Sequence, residues 1–189
     1  MILVVDGNIG CGKSTVLEAL RGRGYQVHKE RIEMWPLEKF YADQSRWAFA
    51  MQVAVFDSMD PIEGVHERCP ETAYFVFWDL MRGQIQPEED EILTRFYQKC
   101  SWSPDLYVYL KSTPEKCLEN IQGRTQSGDT GVTLDYLKLL HQKYEEFFAD
   151  RPHVVIDVTR SFDEVLADIL SVISRCRLSP SLPVDMPLR

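Results

Sequence analysis

Residues 7–15 of the chain read Gly7-Asn8-Ile9-Gly10-Cys11-Gly12-Lys13-Ser14-Thr15, which fits the GxxxxGK(S/T) pattern of a phosphate-binding P-loop. The apolar residues 2–5 before the motif are typical of a buried strand in a parallel sheet. Residues 16–20 after it have helical character. Because the motif functions between a strand and a helix, this context favours a nucleotide site over a glycine-rich turn that binds nothing.

The residues of this loop each suit a polyanionic ligand. Glycines allow the backbone to curl so that successive N–H groups face a phosphate, and the start of the following helix adds partial positive charge. Lys13 can reach the outer phosphates, and the Ser14 hydroxyl can ligate Mg²⁺. The motif therefore predicts a nucleoside triphosphate, but it does not distinguish a kinase from a GTPase or a motor.

Length and composition indicate one globular domain. The 189 residues are 44% hydrophobic and 26% charged, enough for a sizeable core. The net charge of -8 argues against proteins that bind nucleic acid or anionic membranes, which normally present a basic face. No apolar run approaches membrane-spanning length. We expect no partner among nucleic acids or membranes.

The cysteines and histidines are spaced without a metal or disulfide pattern. The five cysteines include no CxxC pair, and the four histidines are scattered. A structural zinc site or a disulfide framework is therefore not expected, and a reducing, cytoplasmic compartment fits best. Because the strand before the P-loop starts at residue 2, we also expect no leader peptide.

Strand-like and helix-like segments alternate along the chain. Strands are predicted near residues 25–30, 64–68, 105–110 and 153–158, and helices near residues 37–59, 88–100, 134–148 and 161–177, with another from residue 113. This order predicts an α/β fold, an open parallel sheet with helices on both faces. We expect one domain over residues 1–178 and a flexible tail over residues 179–189. The P-loop, Glu30, Glu67 and Arg68 should be neighbours, because each follows a strand.

Together these features resemble the deoxynucleoside kinase family. That family has a P-loop of the form GNIxxGKST, then a Glu five residues before a Trp, a Gln in the next helix, a Glu-Arg pair and an arginine-bearing lid. The chain carries these elements in the same order, as Glu30 and Trp35, Gln52, Glu67-Arg68 and Arg124. The resemblance spans residues 1 to about 178. It implies a P-loop kinase fold, ATP and Mg²⁺ as cofactors, a nucleoside substrate and a homodimer.

The resemblance implies specific catalytic roles. Glu30 is the general base for the sugar 5′-hydroxyl, because a carboxylate can accept the proton as the oxygen attacks the γ-phosphate. Arg68, Lys13 and Arg124 stabilise transferred charge, and Glu67 serves the metal with Ser14. The alternatives are a surface glutamate in a charged run for Glu30 and an ordinary strand-end ion pair for Glu67-Arg68.

The resemblance also implies a nucleoside pocket. Gln52 holds the base through its amide, which offers both a donor and an acceptor. Trp35 and Phe77 line and stack on the base, although aromatics in apolar stretches are more often core residues. Tyr41 and Asp129 bond the sugar 3′-hydroxyl.

Three further positions predict the base. Val55, Met59 and Ala73 match the small or apolar set of thymidine-accepting members, whereas members that prefer deoxycytidine or purines carry Arg and Asp at positions 59 and 73. An apolar cavity there accommodates the thymine methyl, worth only about 1–3 kcal/mol, so discrimination among pyrimidines should be modest. Residues 67–70, Glu-Arg-Cys-Pro, also resemble the Glu-Arg-x-Pro form of some viral thymidine kinases.

Two loops complete the predicted site. Residues 120–129 resemble the lid, in which Arg124 would clamp the transferring phosphoryl group. The family lid carries two or three arginines, whereas the other positions here are Asn120 and Gln126. Residues 157–162 resemble the adenine-side loop, where Phe162 or its backbone contacts the base. Alternatively, Phe162 anchors the last helix.

We therefore predict an ATP-dependent kinase that phosphorylates the 5′-hydroxyl of deoxynucleosides, preferring pyrimidines (thymidine, and deoxycytidine too), and so supplies monophosphates for salvage. One alternative is a nucleoside-monophosphate kinase such as thymidylate kinase, which would need extra basic groups for the substrate phosphate. Another is a non-catalytic nucleotide-binding protein. A P-loop protein acting on nucleic acid is disfavoured by the charge.

Overall fold

The central sheet has five parallel strands. The computed structural model describes residues 1–123 and 131–176. Within them the strands lie in the order β2-β3-β1-β4-β5. They are β1 (Ile2–Asp6), β2 (Val27–His28), β3 (Gly64–Glu67), β4 (Leu106–Lys111) and β5 (His153–Asp157). The predicted α/β architecture is confirmed. The predicted domain end at residue 178, the tail after it and the lid residues 124–129 lie outside the described residues.

Helices cover both faces of the sheet. They are α1 (Lys13–Arg21), α2 (Leu37–Ala42), α3 (Gln44–Asp57), α4 (Pro70–Thr72), α5 (Asp79–Met81), α6 (Pro87–Cys100), α7 (Pro114–Gln122), α8 (Leu134–Ala149) and α9 (Phe162–Arg175). Leu3 and Val5 of β1 belong to the core formed with α1 and α9, whereas Val4 belongs to the core formed with α8. This alternation follows from the two-residue period of a strand. No helix in the described ranges is long and apolar enough to cross a membrane.

The strand register brings the polar residues to one edge. Val5 of β1 pairs with Glu67 of β3, and Asp6 pairs with Tyr109 of β4. The P-loop leaves the central strand, and Arg68 leaves the neighbouring strand at the same level. The carboxyl ends of the strands therefore hold the candidate site, as expected for an open parallel sheet.

The predicted helix over residues 37–59 was wrong in one respect, because it is two helices. Asp43 lies between α2 and α3 with a non-helical backbone, φ -152° and ψ 89°. Its side chain accepts a hydrogen bond from the backbone N–H of Arg46 at 3.1 Å. A short carboxylate that caps a new helix competes with continuation of the old one, and hydrophobic periodicity alone does not reveal that competition.

Replacing Asp43 with Ala is expected to lower the free energy of unfolding by about 0.5–2 kcal/mol, because the cap of α3 is lost. Asp43→Asn should retain most of the stability, since asparagine caps helices about as well. Chemical denaturation of both variants measures the difference. Equal stability of Asp43→Ala and the unmodified protein would show that the cap contributes nothing.

Two other predicted boundaries were displaced, and one helical region was not predicted. β2 covers only Val27–His28 of the predicted residues 25–30, and α9 ends at Arg175 rather than residue 177. Residues 70–84, which carry an aromatic run without clear periodicity, are helical throughout. They contain a π-helical stretch, Ala73–Trp78, and a 3₁₀ turn, Arg82–Gln84. The π-helical stretch places Ala73 and Phe77 beside α3.

Candidate active site

The P-loop adopts a backbone conformation that only glycine tolerates easily. Gly7 and Gly10 have φ angles of 147° and 80°. A Cβ at Gly7 would lie 2.5 Å from the carbonyl oxygen of Leu110, and one at Gly10 would lie 2.5 Å from that of Cys117. The loop therefore packs against the end of β4 and against α7. Any side chain at these two positions would push the loop away.

Lys13 is folded back onto its own loop. Its ammonium donates to the backbone oxygens of Gly7, at 3.0 Å, and Asn8, at 2.9 Å. Only 5% of the residue is exposed. These contacts hold the positive charge at the mouth of the loop, and α1 begins at the same residue with its N-terminus directed at the loop. Of the other predicted nucleotide-binding residues, Asn8 and Cys11 are buried, Ile9 and Ser14 are half-buried, and Thr15 is exposed.

Two amides fasten the loop to the surrounding helices. Asn8 Nδ2 donates to the carbonyl oxygen of Leu137 in α8, and Asn120 Nδ2 donates to that of Gly10, both at 2.8 Å. The expectation that the lid begins at residue 120 is therefore wrong. Asn120 belongs to α7, which continues to Gln122, and its side chain holds the P-loop instead of entering a lid.

Ser14 and Glu67 meet between the P-loop and β3. Ser14 Oγ donates to Glu67 Oε1 at 3.1 Å. A hydroxyl and a carboxylate are hard oxygen ligands of the kind that Mg²⁺ prefers, and this ion usually takes only one or two protein ligands beside substrate phosphates. In the described residues no group of three or more histidines, cysteines or carboxylates could hold a metal by itself. The pair thus fits a magnesium ion shared with a nucleotide.

Glu30 and Arg68 form a buried ion pair beside the P-loop. Arg68 Nη1 donates to both carboxylate oxygens of Glu30 at 2.6 Å. The side chains are only 11% and 9% exposed, so Glu30 is not the surface residue that its charged neighbours in sequence would suggest. Arg68 also has a left-handed backbone, φ 61°, which is unusual for a residue with a long side chain and marks a constrained position.

The surroundings of Glu30 favour its neutral form more than water does. Burial raises the pKa of Glu30, and the Glu67 carboxylate also raises it, whereas the charges of Arg68 and Lys13 lower it. The net direction is upward. A carboxylate whose pKa moves towards neutrality is a better proton acceptor at physiological pH than an ordinary glutamate.

Two buried residues that the sequence patterns did not single out complete this polar cluster. Asp6 accepts hydrogen bonds from the Gly7 backbone N–H at 2.8 Å and from the Tyr144 hydroxyl at 2.7 Å. The Tyr144 hydroxyl in turn accepts one from Arg68 Nε at 3.3 Å. The position of Asp6 directly before Gly7 was an available signal. For Tyr144, which lies on an amphipathic helix far along the chain, no signal existed.

An aromatic and apolar cavity of about 110 Å³ opens next to the ion pair. Nine of the ten predicted substrate-binding residues line it, together with Ile9, Leu37, Phe40, Met51, Met81 and Tyr136. The nine are Glu30, Trp35, Tyr41, Gln52, Val55, Met59, Arg68, Ala73 and Phe77. The cavity is smaller than the pockets that enclose drug-sized ligands, which usually span about 300–1,000 Å³.

The cavity wall is held by specific hydrogen bonds. Gln52, which is 2% exposed, donates from Nε2 to the carbonyl oxygen of Ala73 at 2.8 Å. Within the described residues, its Oε1 and its second N–H make no other hydrogen bond and could serve a ligand. Trp35 Nε1 donates to Ser58 Oγ at 3.0 Å, which fixes the indole at the other side of the cavity. Both side chains are therefore preorganised and not free to reorient.

Arg31, which the sequence patterns left unassigned, supports the same wall. Its Nε and Nη2 donate to the carbonyl oxygen of Ser58 at 3.0 and 2.6 Å, and Nη2 also contacts Asp60 Oδ2 at 2.7 Å. Trp102 Nε1 donates to the carbonyl oxygen of Met59 at 3.2 Å. These contacts fix the backbone that carries Met59.

Phe77 and Tyr41 both line the cavity. The Arg68 guanidinium carbon is 4.6 Å from the centre of the Phe77 ring, a cation–π contact that continues the ion pair into the cavity. A Cβ at Gly131 would lie 3.2 Å from Tyr41 Cδ1, so Gly131, two residues after the predicted lid, packs against this tyrosine.

Three predicted site residues are not among those brought together here. Arg124 and Asp129 lie outside the described residues. Phe162 is the first residue of α9, and 43% of it is exposed, so it does not anchor that helix in the core. Its predicted contact with adenine stays a prediction.

A second, more polar cavity of about 500 Å³ shares Glu30, Glu67, Arg68 and Met59 with the region just described. It lies on the side of the ion pair towards β2 and the loop before β3. The basic side chains that line it in the described residues are already in ion pairs, namely Arg21 and Lys29 with Glu18, Arg31 with Asp60, and Arg68 with Glu30.

Two thymidine kinases are similar to this chain in sequence. The chain is 32% identical over 208 aligned residues to the thymidine kinase of Ictalurid herpesvirus 1 (strain Auburn), with 96% of this chain and 89% of the viral protein covered. It is 29% identical to human mitochondrial thymidine kinase 2, with 77% of this chain and 63% of the human protein covered.

The fold is also that of a solved kinase. A structure of deoxyadenosine kinase from M. mycoides, with the products dCMP and a flexible dCDP bound, superposes with a TM-score of 0.82. It covers 94% of this chain at 22% identity, which establishes the fold alone. The profile of the deoxynucleoside kinase family matches residues 3–177. The chain therefore belongs to the deoxynucleoside kinase family.

Proposed function

We propose that this kinase transfers the γ-phosphate of ATP to the 5′-hydroxyl of pyrimidine deoxynucleosides, thymidine and deoxycytidine, for the salvage of DNA precursors. The observation that carries the proposal is the position of Glu30 and Arg68. They line the aromatic cavity that contains Gln52, and they adjoin Glu67 and the P-loop. A nucleoside in that cavity would present its 5′-hydroxyl to a buried carboxylate beside the phosphate site.

In the proposed reaction Glu30 accepts the proton of the 5′-hydroxyl as that oxygen attacks the γ-phosphorus, and ADP leaves. Arg68 and Lys13 stabilise the charge on the transferred group. Arg68 also orients the Glu30 carboxylate through two hydrogen bonds of 2.6 Å. Little covalent chemistry falls to the protein, so positioning and electrostatics provide most of the catalysis.

Ser14 and Glu67 are the residues that would hold Mg²⁺. The ion would neutralise charge on the nucleotide phosphates when bound. Ser14 Oγ donates its hydrogen to Glu67 Oε1 at 3.1 Å, and the lone pairs of the hydroxyl oxygen would be available to the ion. Arg124 is proposed as a further positive group at the transferred phosphoryl.

The preference for thymidine is proposed from the wall around Ala73. Ala73 is 2% exposed, its carbonyl is held by Gln52, and Met59 and Val55 line the same cavity. A base whose Watson–Crick edge pairs with Gln52 would direct its 5-substituent at this apolar wall. The related thymidine kinases, viral and human, support a thymidine substrate.

Replacing Ala73 with Leu is expected to remove most of the preference for thymidine over deoxyuridine. A methyl group in an apolar pocket contributes about 1–3 kcal/mol, or about 10- to 200-fold in kcat/KM, and the larger side chain would occupy that space. Measuring kcat/KM for both nucleosides tests this. Ala54→Leu is the control, because Ala54 is outside the set of cavity-lining residues. If Ala73→Leu kept the preference for thymidine over deoxyuridine, the thymine methyl group would have to bind away from Ala73.

A nucleoside-monophosphate kinase is the second candidate, and the paired cations of the polar cavity argue against it. Such an enzyme needs basic groups at the acceptor phosphate. In the described part of the chain, each lysine and arginine that lines the polar cavity already pairs with a carboxylate. ADP release should therefore be stimulated by thymidine and not by thymidine monophosphate. Stimulation by the monophosphate alone would reverse the assignment.

A further inference from the structure

We propose that Tyr144 is a positioning residue, which holds the Arg68 guanidinium against Glu30 and links α8 to the strand before the P-loop. This inference rests on the proposed function, because it concerns the same ion pair. Tyr144 contacts neither the P-loop nor the aromatic cavity through any described hydrogen bond. Its hydroxyl acts on the reacting groups through Arg68 and Asp6, whereas its ring meets Phe77 edge to face, a contact that phenylalanine would keep.

The geometry around the Tyr144 hydroxyl supports this role. The residue is fully buried. Its hydroxyl donates to Asp6 Oδ1 at 2.7 Å and accepts from Arg68 Nε at 3.3 Å. Burial raises the pKa of Tyr144 well above its ordinary value, and Asp6 adds to this, so the side chain remains a neutral donor. One hydroxyl thereby separates an anion from a cation at the end of β1.

The guanidinium is held on several sides at once. Nε faces Tyr144, Nη1 binds Glu30, and the plane lies over Phe77. Asp6 Oδ1 is 3.6 Å from Arg68 Nε, just beyond hydrogen-bond distance. Because the guanidinium is a rigid fork, a movement of Nε towards Asp6 would also move Nη1 away from Glu30.

Removal of the Tyr144 hydroxyl should allow Arg68 Nε to move towards Asp6. Asp6 Oδ1 would lose a donor, and Asp6 Oδ2 is buried with no hydrogen-bond partner in the described residues. Asp6 would keep only the donor at the Gly7 N–H, and a buried carboxylate with so few donors is costly, so it would attract the nearby cation of Arg68. The ion pair with Glu30 would then weaken although neither catalytic partner had been changed.

The test is Tyr144→Phe, assayed with thymidine and Mg·ATP. We expect kcat to fall about tenfold, the scale of a hydrogen bond to a charged group, with KM for thymidine and for ATP unchanged. In an Arg68→Lys background, which lacks Nε in that position, Tyr144→Phe should lower kcat no further. In an Asp6→Asn background, which lacks the anion that would draw Arg68 away from Glu30, Tyr144→Phe should lower kcat far less than it does in the unmodified protein.

The control is Tyr109→Phe. Tyr109 stacks on Tyr144 and donates to Glu145 of α8 at 2.9 Å, so its hydroxyl also tethers α8, but it does not touch Arg68. We expect its kcat to be unchanged. The inference would be overturned if Tyr144→Phe left kcat unaltered, or if its loss simply added to that of Arg68→Lys. In either case the loss of turnover in Glu30→Gln would show that the proposed function still holds. An unmodified protein without thymidine turnover would overturn the proposed function itself, and this inference with it.

Discussion

Glu30→Gln is expected to lower kcat for thymidine phosphorylation by about 10²- to 10⁴-fold, the usual contribution of a general base. The amide keeps the size of the side chain and one acceptor for Arg68, but it cannot take up a proton. KM for ATP should change little, because no described hydrogen bond joins Glu30 to the P-loop. Steady-state kinetics with thymidine and Mg·ATP, together with ATP binding and a melting curve, measure the effect.

Glu33→Gln is the matched control. Glu33 lies in the same charged run but is exposed, so its replacement should leave kcat unaffected. If Glu30→Gln retained more than a few per cent of turnover, a group other than Glu30 would have to accept the proton of the 5′-hydroxyl. If Glu33→Gln lost as much activity as Glu30→Gln, the charged run as a whole would matter and not the buried carboxylate.

Arg68→Gln is expected to have the second largest effect and to act on both stability and activity. Removing one partner of a buried ion pair leaves the other charge uncompensated and typically costs about 3–5 kcal/mol of folding free energy. Loss of a preorganised charge at the transferred group should lower kcat by about 10²- to 10³-fold. Arg21→Gln is the control, because its ion pair with Glu18 is half-exposed and should contribute less than about 1 kcal/mol.

Arg68→Gln should also change the dependence of kcat/KM on pH. The charge of Arg68 lowers the pKa of Glu30, against the larger effect of burial that raises it. Without Arg68 this pKa rises further, and the carboxylate needed for proton transfer exists only above it. The acidic limb of the kcat/KM profile should therefore move to higher pH. A limb that stays in place, or moves to lower pH, would mean that another group controls it.

The fold and the position of the site could be predicted because they depend on local signals. The P-loop needs a strand before it and a helix after it, and parallel strands bring Glu30 and Glu67 to the same edge of the sheet. Gln52 and Ala73 were assigned from an ordered set of motifs, and they line one cavity. Their roles in binding, like the homodimer, stay predictions.

Other features depend on contacts between distant parts of the chain. Tyr144 reaches Asp6 across 138 residues, and the periodicity of α8 indicates a buried face without showing which hydroxyl on it is bonded. Asn120 was assigned to the lid from its neighbours in sequence. Its actual role depends on a hydrogen bond to a carbonyl of the P-loop, which those neighbours do not indicate. Residues 70–84 have an aromatic run whose π-helical stretch breaks the regular helical period.

The most direct test of the central claim is product analysis after incubation of the purified protein with Mg·ATP and thymidine. The account predicts stoichiometric thymidine 5′-monophosphate and ADP, formed by the unmodified protein and by Glu33→Gln but nearly absent with Glu30→Gln. Nucleoside-independent ATP hydrolysis, or ADP formation only when thymidine monophosphate replaces thymidine, would contradict it.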